Sequence, residues 1–129
     1  MTFIVDTHPL VWLLAGDARL SGRAREIFAQ EAAQLVVPAI VLAEISYLYG
    51  RSRIKVDVRD ALDHIVAARN CAVYPLDEAV VQHLPTSLNI HDGIIVATAM
   101  VFRDIMDQKV AVVTKDTQIS ASGIIDVVW

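Results

Sequence analysis

Apolar residues along this chain alternate between short continuous runs and longer segments with helical spacing. Phe3-Ile4-Val5, Leu35-Val36-Val37, Cys71-Ala72-Val73-Tyr74 and Val110-Ala111-Val112-Val113 read as buried strands, with a last strand expected over Ile125 to Val128. Between them, His8-Pro9-Leu10 opens an apolar helical turn that ends near Gly16, and Ser21 caps an amphipathic helix running to Gln34. Pro38 starts a helix to about Arg51, and Val58 to Arg69 forms another. Asp77 caps a short helix to Leu84, a longer helix covers Asp92 to Ile105, and a helical turn follows Asp116. Pro85 to Ile90 is the one evident loop. Strands alternating with helices predict an α/β fold with a mostly parallel sheet covered on both faces. Sites in such sheets form beyond the carboxyl ends of the strands.

Four acids break this apolar pattern at its edges. Asp6 follows the first strand, Glu44 lies inside Ala39-Ile40-Val41-Leu42-Ala43-Glu44-Ile45, Asp92 precedes Gly93-Ile94-Ile95-Val96-Ala97-Thr98-Ala99, and Asp116 follows the strand at Val110. In a helix, positions 41, 44, 45 and 48 share a face, so Glu44 projects from the side that Val41, Ile45 and Leu48 bury. Carboxylates are almost never buried without a partner. Two of them about 5 Å apart at an effective dielectric of about 20 repel by roughly 3 kcal/mol, a large share of the ~5–15 kcal/mol that holds a domain together. Protons or cations must neutralise such a cluster, and a divalent ion does so while leaving the acids ionised.

Composition narrows the classes. With 129 residues, 55% of them hydrophobic, the chain is expected to form one domain spanning 1–129 with a full core. Its mean hydropathy of +0.48 favours an oligomer or obligate partner. The longest apolar stretch, about ten residues from Gly93, falls short of a membrane span, and no basic leader precedes Asp6, so a cytoplasmic location is expected. One cysteine, Cys71, excludes an intrachain disulfide or a multi-Cys zinc site and reads as an apolar thiol. The net charge of −4 argues against broad electrostatic binding of nucleic acid, yet removing the four acids brings it to zero. Local basic groups lie at Arg19, Arg23 and Arg25, at Arg51, Arg53 and Lys55, and at Arg103 and Lys109. No glycine-rich phosphate loop is present.

The motifs Ile4-Val5-Asp6-Thr7-His8, Leu42-Ala43-Glu44-Ile45, His91-Asp92-Gly93-Ile94-Ile95-Val96-Ala97-Thr98-Ala99 and Val113-Thr114-Lys115-Asp116, in this order, span nearly the whole chain. Together they resemble the PIN-domain family of metal-dependent ribonucleases, and within it the VapC-type toxins of VapBC toxin–antitoxin systems. The resemblance implies a three-layer α/β/α PIN-like fold. It also implies that Asp6, Glu44, Asp92 and Asp116 are the catalytic, metal-binding quartet, with Thr7 and Thr114 as hydroxyl neighbours able to orient carboxylates. For the threonines, strand-end capping is the alternative. Many relatives have an Asp three residues before the third acid and an Arg just after it, where this chain has Asn89 and Gly93.

Hard carboxylate oxygens suit Mg²⁺ or Mn²⁺, which activate water and stabilise charge on a scissile phosphate. The resemblance further implies an RNA substrate, products with a 5′-phosphate and a 3′-hydroxyl, a homodimer, and a cognate VapB-type antitoxin covering the acidic site. Three other readings stand beside it: a PIN-domain nuclease of RNA processing, a catalytically silent binding module, and a Mg²⁺-dependent phosphoacceptor signalling domain. The last is suggested by Lys115, but such a domain wants an acidic pair after its first strand. His8, His64, His83 and His91 are too scattered for a zinc site, and His91 reads as a helix-start hydrogen-bonding residue, with substrate contact as the alternative. Trp12, Tyr47 and Tyr49 are expected to pack in the core or at a dimer face, and Trp129 against the last strand or an interface.

Overall fold

The apolar runs pair as one sheet. The computed structural model describes Met1–Trp129. Strands β1 (Thr2–Val5), β2 (Gln34–Pro38), β3 (Cys71–Tyr74), β4 (Val110–Val113) and β5 (Val127–Val128) pair only in parallel, in the order β3-β2-β1-β4-β5. The connections carry α1 (Thr7–Ala15), α2 (Gly22–Ala29), α3 (Ala39–Gly50), α4 (Val58–Ala67), α5 (Glu78–Gln82), α6 (Ile90–Asp104) and α7 (Thr117–Ser122). Every residue of β1 and β4 is buried, which is why both strands appear in the sequence as unbroken apolar runs.

The chain lays down β1, β2 and β3 outward on one side, then returns past β1 to place β4 on the other. Right-handed crossovers require the helices before and after this reversal to cover opposite faces, giving the three-layer α/β/α arrangement. In agreement, α1, α3 and α4 pack on one another, while α6 packs on α5, β1 and β4. The reversal opens a crevice beyond the carboxyl ends of β1 and β4, the usual place for a ligand in an open parallel sheet.

The core ties each acidic position to a fixed point. Ile4, Ile45, Ile95 and Ile119 are each fully buried, and they lie on β1, α3, α6 and α7 within three residues of Asp6, Glu44, Asp92 and Asp116 respectively. Burying one such side chain is worth about 1.5–3 kcal/mol, so the elements bearing the acids are held by packing before any polar contact is counted.

Several boundaries differ from the sequence reading. Helix α2 stops at Ala29 instead of continuing to Gln34, because the Asn70 amide donates to the carbonyls of Gln30 and Ala33 at 3.1 and 2.7 Å and so satisfies the helix end. Helix α6 starts at Ile90, ahead of Asp92, because Asn89 is its N-cap. Strand β5 covers only Val127–Val128, although Ile125 is buried. Tyr47 and Tyr49 are not core residues, being 61% and 47% exposed. Trp12 is buried and meets Trp129 edge-on with ring centroids 5.7 Å apart. Cys71 is half-buried, and burial pushes its thiol pKa up, as expected for a packed thiol rather than a nucleophile. No helix is long and apolar enough to cross a membrane.

Candidate active site

Two acids sit at strand ends and double as helix caps. Asp6, the first residue after β1, caps α1: its Oδ1 accepts from the Thr7 backbone N–H at 2.7 Å. Its Oδ2 accepts from the Thr114 hydroxyl at 2.6 Å. Thr114 follows β4, whose Val113 is in register with Val5, so the central strand pairing delivers the hydroxyl to the carboxylate. The same Thr114 oxygen accepts from the Asp116 N–H at 2.9 Å. Asp116 in turn caps α7, its Oδ1 accepting from the N–H groups of Gln118 and Ile119 at 2.7 and 3.1 Å. Thr114 therefore joins the two strand-end acids, and both face partial positive charge at helix starts.

The other two acids are carried by helices. Asp92 lies in the first turn of α6, where Asn89 holds it twice. The Asn89 amide donates to Asp92 Oδ2, and Asn89 Oδ1 accepts from the Asp92 N–H, both at 2.9 Å. Asn89 thus supplies a donor where many relatives would supply another carboxylate. The neighbouring Gly93 is close-packed, since a Cβ there would lie 3.1 Å from Leu84 Cδ1 and 3.3 Å from the Pro85 carbonyl oxygen. A side chain at this position would require Leu84 and the Pro85 carbonyl to give way by a few tenths of an ångström. Glu44 extends from α3 beside fully buried Val41 and Ile45, as its helical spacing predicts.

Sequence reading misplaced His91. Rather than bonding at the start of its own helix, its ring reaches α3, with Nε2 2.5 Å from Glu44 Oε2 and Nδ1 3.7 Å from Asp92 Oδ1. The Nε2 contact is a close ion pair without aligned hydrogen-bond geometry. His91 raises no metal-site signal in the sequence, and only the approach of α3 to α6 reveals its partner.

Electrostatics follow from burial. Asp6 is only 7% exposed, and desolvation pushes its carboxyl above the usual range despite the Thr114 and Thr7 hydrogen bonds. The imidazole beside Glu44 holds that carboxyl below its usual range, and Glu44 raises the pKa of His91 in return. Thr7 is fully buried, and its hydroxyl has no well-formed hydrogen bond. Thr7 and Thr114 therefore differ: Thr114 makes a short hydrogen bond to Asp6, whereas Thr7 is near enough to Glu44 to help lower that carboxyl without a well-aligned bond.

All four acids line one cavity of about 280 Å³, with His8, Asn89 and His91 completing its wall. A larger groove of about 410 Å³ lies near Thr2 and Gln108 and has no carboxylate in its lining. No three acidic or histidine side chains converge on a single point as a closed cage. The donor set nevertheless fits Mg²⁺ or Mn²⁺ chemistry. Asp92 and Asp116 are each anchored through one oxygen, leaving Asp92 Oδ1 and Asp116 Oδ2 without hydrogen bonds, as a hard cation requires.

The PIN domain family model matches residues 3–123. The chain belongs to the PIN domain family. Solved structures share this PIN fold over nearly their full lengths. VapBC2 from Rickettsia felis, bound to a DNA fragment from its promoter, matches with a TM-score of 0.67 and 14% identity, covering 99% of this chain and 98% of that one. DNA-bound VapBC from Salmonella typhimurium matches at 0.67 and 16%, with 99% and 97% covered. VapC20 from Mycobacterium tuberculosis, a toxin that cleaves the sarcin–ricin loop, matches at 0.62 and 22%, with 94% and 95% covered. Comparison with curated proteins finds no match.

Proposed function

We propose that this PIN domain is a metal-dependent endoribonuclease that hydrolyses RNA phosphodiester bonds at the cleft walled by Asp6, Glu44, Asp92 and Asp116. One observation carries the reading: four carboxylates from four separate elements line a single cavity beside the β1/β4 reversal. A bound Mg²⁺ or Mn²⁺ supplies water activation and stabilisation of charge on the phosphate. The chain's own residues hold the donors. Thr114 and the α1 start fix Asp6, the α7 start fixes Asp116, and Asn89 fixes Asp92. Glu44 is the adjustable member, because a side-chain pair with His91 is its main polar contact.

In the cell we read the protein as a cytoplasmic, homodimeric toxin of a type II toxin–antitoxin pair, with RNA as substrate and a VapB-type antitoxin as partner. The VapBC assemblies that share its fold support this reading. So do the apolar side chains left on α3 and α4, with Tyr47 61% and Val66 85% exposed. The test is cleavage of a structured RNA mixture by purified protein with Mn²⁺, with EDTA, and by Asp6→Asn and Asp116→Asn prepared identically. Metal-dependent cleavage lost in both variants is expected, and equal cleavage by all three proteins overturns the site. Toxicity unchanged on co-expression with the product of the adjacent gene overturns the toxin reading.

A further inference from the structure

The acidic cavity opens beside a second groove of about 390 Å³, and the two share Asp6, His8 and Asp116 as walls. The remainder of this groove is different in character: Pro9, Trp12, Lys115 and Thr117 line it. Its volume falls within the roughly 300–1,000 Å³ of small-ligand clefts. Its floor is an ordered aromatic group, with buried Trp12 packed against Trp129 and the exposed His8 ring tilted over Trp12 at 5.6 Å. Two cations sit over the Trp12 ring, Arg19 at 5.1 Å and Lys115 at 5.9 Å from its centroid.

These cations are not equivalent. Arg19 is already neutralised by a two-pronged contact with Asp17, at 3.1 and 2.7 Å, which holds the Asp17 carboxyl at a pKa of about 2. Lys115 is exposed and makes no salt bridge, although it immediately precedes Asp116. A polyanionic strand crossing a carboxylate-lined cleft needs a cation at its next phosphate. Lys115, steadied by the indole and otherwise unpaired, is placed for that contact.

Resting on the ribonuclease reading above, we propose that this groove is the subsite for the nucleotide adjoining the scissile phosphate, with Lys115 pairing with the flanking phosphate and the His8 ring offered to the base. A buried indole with an exposed ring above it and a free ammonium at the rim combines a stacking surface with a phosphate contact, as single-strand sites require. An acidic peptide would use the ammonium but would leave the His8 face and the connection to the acidic cleft unexplained.

The experiment compares wild type, Lys115→Gln, Lys115→Arg and His8→Ala on a fluorescent single-stranded RNA oligonucleotide with Mn²⁺ across a range of salt. Lys115→Gln is expected to raise KM about tenfold, the scale of one charge-assisted contact, with kcat changed less than about twofold. It should also lower the slope of log KM against log salt by about 0.7, the signature of one lost contact to a single strand. Lys115→Arg should restore both, and His8→Ala should raise KM without changing the slope. If wild type cleaves and Lys115→Gln keeps its KM and slope, the subsite is overturned while the ribonuclease reading stands. If wild type cleaves nothing, that reading fails and anisotropy of the same oligonucleotide decides the subsite. Salt-sensitive binding weakened by Lys115→Gln supports it, and binding that is absent or unchanged overturns it. Unchanged RNA binding with a weakened antitoxin complex would assign the groove to protein.

Discussion

The two halves of the acidic cleft are built on different terms. Asp6 and Asp116 are locked by backbone N–H groups and the shared Thr114, so the contacts that orient them are also the caps that start α1 and α7. Glu44 and Asp92 are oriented through the side chains of His91 and Asn89: the His91 contact crosses between two helices and caps neither, while Asn89 donates to Asp92 and also caps α6. One half is set by the fold, and the other can be retuned residue by residue. The departure from many relatives, Asn89, lies in the second half, at a position where either Asn or Asp caps α6.

The contrast is sharpest at Thr114. Replacing it by Val removes the donor to Asp6 and the acceptor of the Asp116 N–H together, and should lower cleavage about 10–100-fold. The same variant should lose about 1–3 kcal/mol of stability in urea unfolding, since a buried carboxylate oxygen is left without its partner. Asn89→Asp probes the adjustable half. Asp still caps α6, but the donor to Asp92 Oδ2 becomes a second carboxylate. Metal-free protein should lose about 1 kcal/mol and regain it with Mn²⁺, because a cation relieves the new repulsion. Loss of cleavage equal to that of Thr114→Val would erase the distinction between the halves.

The smallest effect is a pH dependence of metal-free stability. Glu44's folded pKa is lowered, so its contribution is present above its ordinary value of 4.5 and is lost as pH falls through the folded value. His91's folded pKa is raised, so its contribution is present below its ordinary value of 6.5 and is lost as pH rises through the folded value. Their pairing should therefore stabilise most between pH 4.5 and 6.5. Thermal melts of wild type and His91→Gln should differ most in that window and converge once pH has passed the raised His91 value. A constant difference across pH would show that His91 acts through packing rather than charge.

Much of this architecture is legible in sequence because its determinants are local. Strands β1 and β4 are buried on both faces, so they read as uninterrupted apolar runs, and the acids that follow them stand out against that background. Glu44 is legible because helical spacing puts it beside Val41 and Ile45. The Asn89 cap carries a local signal too, an Asn three residues before an Asp, which the apolar run after Asp92 overshadows. What escaped is non-local. The Asn70 amide that ends α2 acts from 37 and 40 residues away, and the His91–Glu44 pair exists only because α3 and α6 meet beyond the carboxyl ends of the central strands. The exposed Tyr47 and Tyr49 leave only the dimer-face half of their expectation, since aromatic character predicts burial but not whether a neighbour within the same chain supplies it.

The reversal that sets β4 beside β1 also orders events in time. The hydrogen bond from Thr114 to Asp6 joins residues 108 positions apart. During synthesis the first strand emerges almost at once, yet its central neighbour and the hydroxyl that seats its acid arrive only with the last sixth or so of the chain. A product that ends between Asp92 and Thr114 therefore carries Asp6, Glu44 and Asp92 but has no complete cleft. On the proposed toxin reading, the topology withholds the finished cleft from any chain that ends before Thr114.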